Sequence, residues 1–227
     1  MIWPSLLKEE KMHFLSKIVI YSFLSMLPIW IAACHNSEDV DWQNGRITIF
    51  AGTGEAGYSG DGGPATKANI NDVYGLAIDK NDNIYMVDSL NFVVRKIDSR
   101  KGIISTVVGK GKPGPVVEFA SVAKAFLGGK PHAKGTIGSE VPHAVEVDSC
   151  GNIFIGDTGA NRIRIVHMPT KQIFTIAGNG ERGWSGDNGF ARQASLEVHG
   201  LRMDSQGRLF FVDFRHHIIR MIEFSNI

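Results

Sequence analysis

The sequence predicts an all-β chain in which one four-stranded antiparallel unit occurs three times, and three observations carry that prediction. Tyr74–Asp98, His143–His167 and His199–Glu223 align without a gap. In that alignment Asp79, Asp148 and Asp204 coincide, as do Asp88, Asp157 and Asp213, and then Arg95, Arg164 and Arg220; each trio is spaced by 69 and then 56 residues, by subtraction of the numbers. Runs such as Ile84–Val87 and Leu209–Val212 are apolar at every position, which suits strands buried on both faces. Short β-branched runs ending in Gly-x-Gly recur at Ile47–Gly54, Ile104–Gly111 and Phe174–Gly180.

The first unit divides into strands Tyr74–Asp79, Asn83–Asp88, Val93–Asp98 and Ile103–Gly109. Lys80–Asp82 joins the first two as a tight hairpin, as do Ser149–Gly151 and Ser205–Gly207 in the other copies. Asp88, Asp157 and Asp213 close each second strand and are expected to accept backbone N–H groups of the following turn. The recurrence of Arg95, Arg164 and Arg220 on third strands points to scaffolding. Four-stranded antiparallel sheets buried on both faces stack around an axis as the blades of a β-propeller. The expected blades are 74–109, 143–178 and 199–223. The third stops one strand short, and Arg46–Ala51 is expected to complete it as a latch. A closed ring of three would be very tight. An open arc, half of a six-bladed ring completed by a second copy, and a fragment of a longer propeller all relieve this, and the open or fragmentary arrangement is preferred for the single chain.

Gly52-Thr53-Gly54-Glu55-Ala56-Gly57 fits the dinucleotide fingerprint, but the pattern recurs from Gly109 to Gly114 and from Gly178 to Gly183, and the neighbouring stretches Tyr58–Pro64 and Trp184–Gly189 are too rich in Gly and Pro to begin a long helix. The nucleotide reading fails. Gly52–Ala65, Tyr74–Asp79 and Asp157–Arg164 instead resemble the NHL repeat of bacterial secreted β-propellers, over about Arg46 to Glu223. NHL propellers usually have five or six blades, and this chain supplies three. The resemblance also implies an alternative function, because NHL-type amidating lyases use axial histidines to hold zinc.

The N-terminus has a different composition. Ile18–Ile31 is uncharged, follows Lys17 and precedes the polar run His35–Asn44, the layout of an export signal, expected as a helix over residues 1–33. Ile31-Ala32-Ala33-Cys34 resembles the lipobox of bacterial lipoproteins, which implies lipid attachment at Cys34 and a polar linker over 34–45 before the 46–227 domain. The alternative is a plain signal cleaved near Ala33. Glu9 and Glu10 are out of place in a signal head, so Met12, opening MHFLSK, is the expected initiator. The only other cysteine, Cys150, sits in a turn, so a lipidated Cys34 leaves no intramolecular disulfide.

With 24 Lys and Arg against 23 Asp and Glu, a net charge of +1 and no run of like charge, the chain carries no nucleic-acid footprint. The residues entering each innermost strand, Tyr74, His143 and His199, should cluster at one mouth of the axis and are the candidate ligand-binding residues. His143 and His199 are the candidates for a metal, zinc or calcium in the alternative reading, with no cofactor in the preferred one. Glu146 and Arg202 take equivalent inner-strand positions and are expected to pair across the seam between blades. The middle loop, Lys112–Val141, lacks Ser-Gly-Asp and is either a specificity loop or a neutral insertion. No nucleophile, base and orienting group share a motif. The sequence therefore reads as a non-catalytic scaffold, exported and lipid-anchored at the bacterial envelope and binding a protein or glycan, with a metal-dependent propeller lyase or hydrolase as the alternative.

Overall fold

A computed structural model of the chain describes residues 44–129 and 140–224. The signal segment, Met12, Cys34 and most of the linker lie outside the described residues, as do residues 130–139 of the middle loop. Among the described residues no helix is long and apolar enough to cross a membrane.

Ile49–Ile227 form one compact unit. Its first sheet orders β1 (Val73–Ile78), β2 (Ile84–Asp88), β3 (Val93–Asp98) and β4 (Ile103–Gly109) as an antiparallel meander. The second contains β5 (Ala120–Ser121), β6 (Ala144–Val147), β7 (Ile153–Asp157), β8 (Arg162–His167) and β9 (Gln172–Ala177) in the order β5-β9-β8-β7-β6. The third is β10 (Val198–Met203), β11 (Leu209–Asp213) and β12 (Ile218–Ile222). Registers repeat from blade to blade, with Met86 opposite Arg95, Ile155 opposite Arg164 and Phe211 opposite Arg220. The chain is three blades of a β-propeller.

Each β1–β2-type hairpin is tied by its own aspartate. Asp79 Oδ1 accepts the Asn81 and Asn83 amides at 2.9 and 3.0 Å, and Asp148 and Asp204 repeat the arrangement with Cys150 and Asn152 and with Gln206 and Arg208. A short-range bond that organises the turn before the strands pair is why the motif survives in all three copies. The Gly-x-Gly pairs have an equally local cause. Both glycines of every copy have positive φ, and a Cβ on Gly109 or Gly178 would lie 2.3 Å from the carbonyl oxygen of Phe92 or Asn161.

The core lies in the seams. Val87, Val94 and Val108 of the first blade meet Val145, Ile153, Ile155 and Val166 of the second, with Ala125 and Leu127 wedged between. Phe154 and Ile163 of the second blade meet Leu201, Leu209 and Phe211 of the third around Leu196 and Val198. In front of the first blade, Ala65 and Ala68 cover Met86, Ile97 and Ile104.

Two expectations are corrected. Arg46–Ala51 is not a strand, and the third sheet has three strands among the described residues. The latch fails because the chain after it is committed to the first blade. Ala51 packs on the Met86–Ile97–Ile104 cluster, while the Gly52 and Thr53 amides bond to the Ala65 and Ala68 carbonyls. The second blade has also gained a strand, since β5, from the middle loop, pairs with β9.

Candidate functional site

Three arginines lock the blades internally. Arg95 reaches the carbonyls of Asn69 and Ser59, the carboxylate of Asp61 at 2.7 Å and that of Asp88 at 3.4 Å. Arg220 repeats this with Ser195, Ser185, Asp187 and Asp213. Arg164 takes the carbonyls of Phe126 and Val117 and sits 3.5 Å from Asp157, with both side chains wholly buried. The paired aspartates accept the amides of Asn71, Gly128 and Glu197, so their backbone partners come from the loop before each blade, not from the turn after the second strand as the sequence suggested. From that turn they gather side chains instead, Asn91 at 2.8 Å on Asp88 and His216 at 2.6 Å on Asp213. Burial pushes the carboxyls of Asp88 and Asp157 above the usual carboxylate range despite their arginines.

The middle loop has kept more of the pattern than its sequence announces. Gly114-Pro115-Val116-Val117-Glu118 occupies the place of Gly57-Tyr58-Ser59-Gly60-Asp61, and Glu118 accepts the Thr175 amide and hydroxyl at 2.7 and 2.6 Å, as Asp61 accepts the Thr106 amide at 3.0 Å. Asp61 also serves Arg95 Nε, whereas Arg164 Nε has no hydrogen-bond partner among the described residues.

The mouth of the axis is built where β1, β6 and β10 begin. Gly75 permits the close approach, since a Cβ there would lie 2.6 Å from the His143 carbonyl oxygen. Tyr74, His143 and His199 do come together. Their rings follow one another at centroid separations of 4.6 and 4.4 Å, and Phe214, which the sequence reading passed over, continues the column at 4.4 Å from His199. The His143 Nδ1 lies 2.8 Å from the Val141 carbonyl, an acceptor only, which puts the ring proton on Nδ1. Beside the column lies a cavity of about 430 Å³ whose walls include Leu76, Val145, Leu201, Phe210 and Val212. Arg202, one of the residues lining it, pairs with Glu146 at 2.9 Å, the seam pair the sequence suggested.

Beneath the column is a carboxylate that the repeat comparison missed. Glu197, wholly buried just before β10, takes Arg215 Nε at 2.8 Å, Arg182 Nε at 3.4 Å and His199 Nε2 at 3.6 Å. By the amide each copy gives to its paired aspartate, the other copies place Asn71 and Gly128 where Glu197 stands, with Ala56 and Pro113 for Arg182 and Leu90 and Gly159 for Arg215. The signal was divergence within the repeat, and a search for recurrence steps over it. Burial lowers the basicity of His199 more than Glu197 restores it, so the ring is held below the usual histidine range and is neutral at neutral pH.

The arrangement suits stacking more than chelation. His143 and His199 meet as tilted rings, 33° apart in plane, His199 stacks on Phe214, and among the described residues no group of three or more His, Cys, Asp or Glu is arranged to hold a metal ion.

The family model of the teneurin NHL domain matches residues 35–116. The first repeat is thus similar to an NHL repeat. Teneurin-1 of Gallus gallus is 39% identical over 70 residues, 28% of this chain and 2% of that protein. The human NHL repeat-containing protein 2 is 26% identical over 186 residues, 79% of this chain and 24% of that one. A structural genomics protein of unknown function from Bacteroides thetaiotaomicron superposes with a TM-score of 0.51 at 20% identity, covering 62% of this chain and 32% of its own. The chain spans less than a third of each of these three proteins.

Proposed function

We propose that this chain is a non-catalytic binding scaffold of the bacterial cell envelope, exported and tethered to a membrane by lipid on Cys34, which recognises a protein or glycan at the axial mouth. The observation that carries the reading is the column Tyr74–His143–His199–Phe214 beside an apolar cavity. The exposed end rings Tyr74 and Phe214, next to apolar walls and with the Arg202–Glu146 pair as a polar rim, suit a flat, amphipathic ligand such as a sugar ring or an aromatic side chain. Glu197 and its arginines fix the floor and are positioning residues.

The test is capture on oligosaccharide and peptide arrays by the full chain. Tyr74→Ala and Phe214→Ala should each weaken capture about tenfold or more. Capture indifferent to both substitutions would remove the mouth from consideration. Calorimetric titration with zinc and calcium addresses the lyase or hydrolase alternative, since stoichiometric zinc uptake abolished by His143→Ala with His199→Ala would overturn the scaffold reading. Metabolic labelling with a fatty-acid analogue reports on the anchor, and the label should vanish in Cys34→Ser.

A further inference from the structure

His199 is held more closely than a ring that only stacks would need to be. It stands between the rings of His143 and Phe214, each with its centroid 4.4 Å away. Its Nε2 is buried and faces the Glu197 carboxylate at 3.6 Å, which Arg215 and Arg182 hold in place through their own Nε groups. The Phe214 amide donates to the Glu197 carbonyl at 3.1 Å, so carboxylate and column are fixed to one another. A carboxylate only accepts hydrogen bonds, and a proton on Nδ1 would leave two lone pairs confronting one another out of reach of water. The neutral ring therefore keeps its proton on Nε2. Nδ1 is left as an acceptor. It has no hydrogen-bond partner among the described residues and, unlike Nε2, it is open to solvent, on a residue that lines the mouth cavity.

We propose that the mouth takes a sugar ring, one hydroxyl of which donates to His199 Nδ1, and that Glu197 is the positioning residue that turns this nitrogen into an acceptor. The assignment rests on the mouth being a binding site and narrows what it binds. Tyr74 and Phe214, each more than half exposed, offer ring faces to the C–H face of a sugar. The Tyr74 hydroxyl and the Arg202 guanidinium stand at the same mouth to donate to other hydroxyls. A sugar carries groups that both donate and accept around its whole edge. An aromatic side chain of a peptide has at most one donor, and phenylalanine has none, so that its docking would cover Nδ1 and leave it unmet. Stacking accepts either ligand; the nitrogen discriminates between them.

The experiment begins with the full chain in mild detergent on the oligosaccharide and peptide arrays. Sugars should be captured, and among methyl ethers of a captured sugar, made one hydroxyl at a time, at least one should bind about tenfold or more weakly. Capture of peptides alone, or of every ether as well as the parent sugar, overturns the proposal. His199→Phe keeps a stacked ring and removes the nitrogen, so sugar and ether should then bind alike; a preference that persists in this variant sinks the assignment. Nitrogen NMR of histidine-labelled wild type needs no variant to fold, beyond use of His199→Phe to identify the His199 signals. Nε2 should be protonated with and without sugar, and the Nδ1 resonance should move as the sugar saturates. A proton on Nδ1, or an Nδ1 signal that sugar leaves in place, is the contrary result. Capture that falls in Tyr74→Ala and Phe214→Ala but not in His199→Phe leaves the mouth standing and removes this ligand contact, whereas capture indifferent to all three removes the mouth itself.

Discussion

A guanidinium cut off from water must find acceptors for its donors inside the protein, and Arg95 finds them in two carbonyls and two carboxylates. Arg95→Ala strands Asp88 and leaves the Asn69 and Ser59 carbonyls unmet; the expected cost is about 3–5 kcal/mol, read from denaturant unfolding. Arg164→Ala should cost less, because Arg164 has no contact matching that of Arg95 with Asp61. The carboxylates that cap loops respond to acid in a definite sense. Burial pushes Asp79 and Glu118 up, but hydrogen bonds from Asn83 and Asn81 to the first, and from Thr175 to the second, outweigh it and hold both below their usual range. A depressed folded value means a stabilising contribution that is complete above the unfolded value of about 4 and is lost as pH falls through the folded one. Stability should therefore drop below about pH 4, and Asp79→Asn with Glu118→Gln should flatten that limb of a pH series of melting temperatures. Asp88 and Asp157 act in the opposite sense, their contribution shrinking as pH rises through their elevated values.

Each hairpin is written at the level of the element in three or four residues. Asp79, Asp148 and Asp204 tie the turns, and the Gly-x-Gly pairs turn the chain where it leaves a blade. Gly109→Ala would have to move the Phe92 carbonyl while adopting an unfavourable φ, so it should destabilise the first blade by about 1–3 kcal/mol. Gly207→Ala has free space around its Cβ and meets only the backbone strain, so it should cost about 1 kcal/mol, and comparison of the two thermal midpoints checks the difference. The strands were legible because their pattern is local and repeats, and so was the meeting of Tyr74, His143 and His199, since equal positions in stacked blades must converge. Arg46–Ala51 was misjudged because its β-branched alternation is intrinsic to it. Its fate was decided by the next residues, which pack Ala51 on Met86 and Ile97. Glu118 was missed because its spacing from Gly114 survives while the Ser-Gly-Asp letters do not, and Glu197 because it is particular to one blade.

For the whole molecule, stability is the sum of blades and the seams between them. Leu127→Ala or Leu196→Ala empties a filled seam and should cost about 2–5 kcal/mol at any protein concentration. Ile70→Ala touches the corresponding position on an open face. Already packed in part against the first blade there, it should cost less, about 1 kcal/mol, and thermal melting of the three variants reads the difference directly. The arginine ties never leave their own blade and its leading loop, while the contacts between blades are mostly apolar, joined among the described residues by the Glu146–Arg202 pair and the His143–His199 rings at the mouth and by the Thr158 hydroxyl on the Val198 carbonyl. A blade with its loop is consequently close to a cassette: most of its polar wiring is internal, and the surface it offers a neighbour is largely grease of a set shape. Genes assembled from such cassettes can be lengthened, shortened or shuffled in frame without any internal circuit being cut.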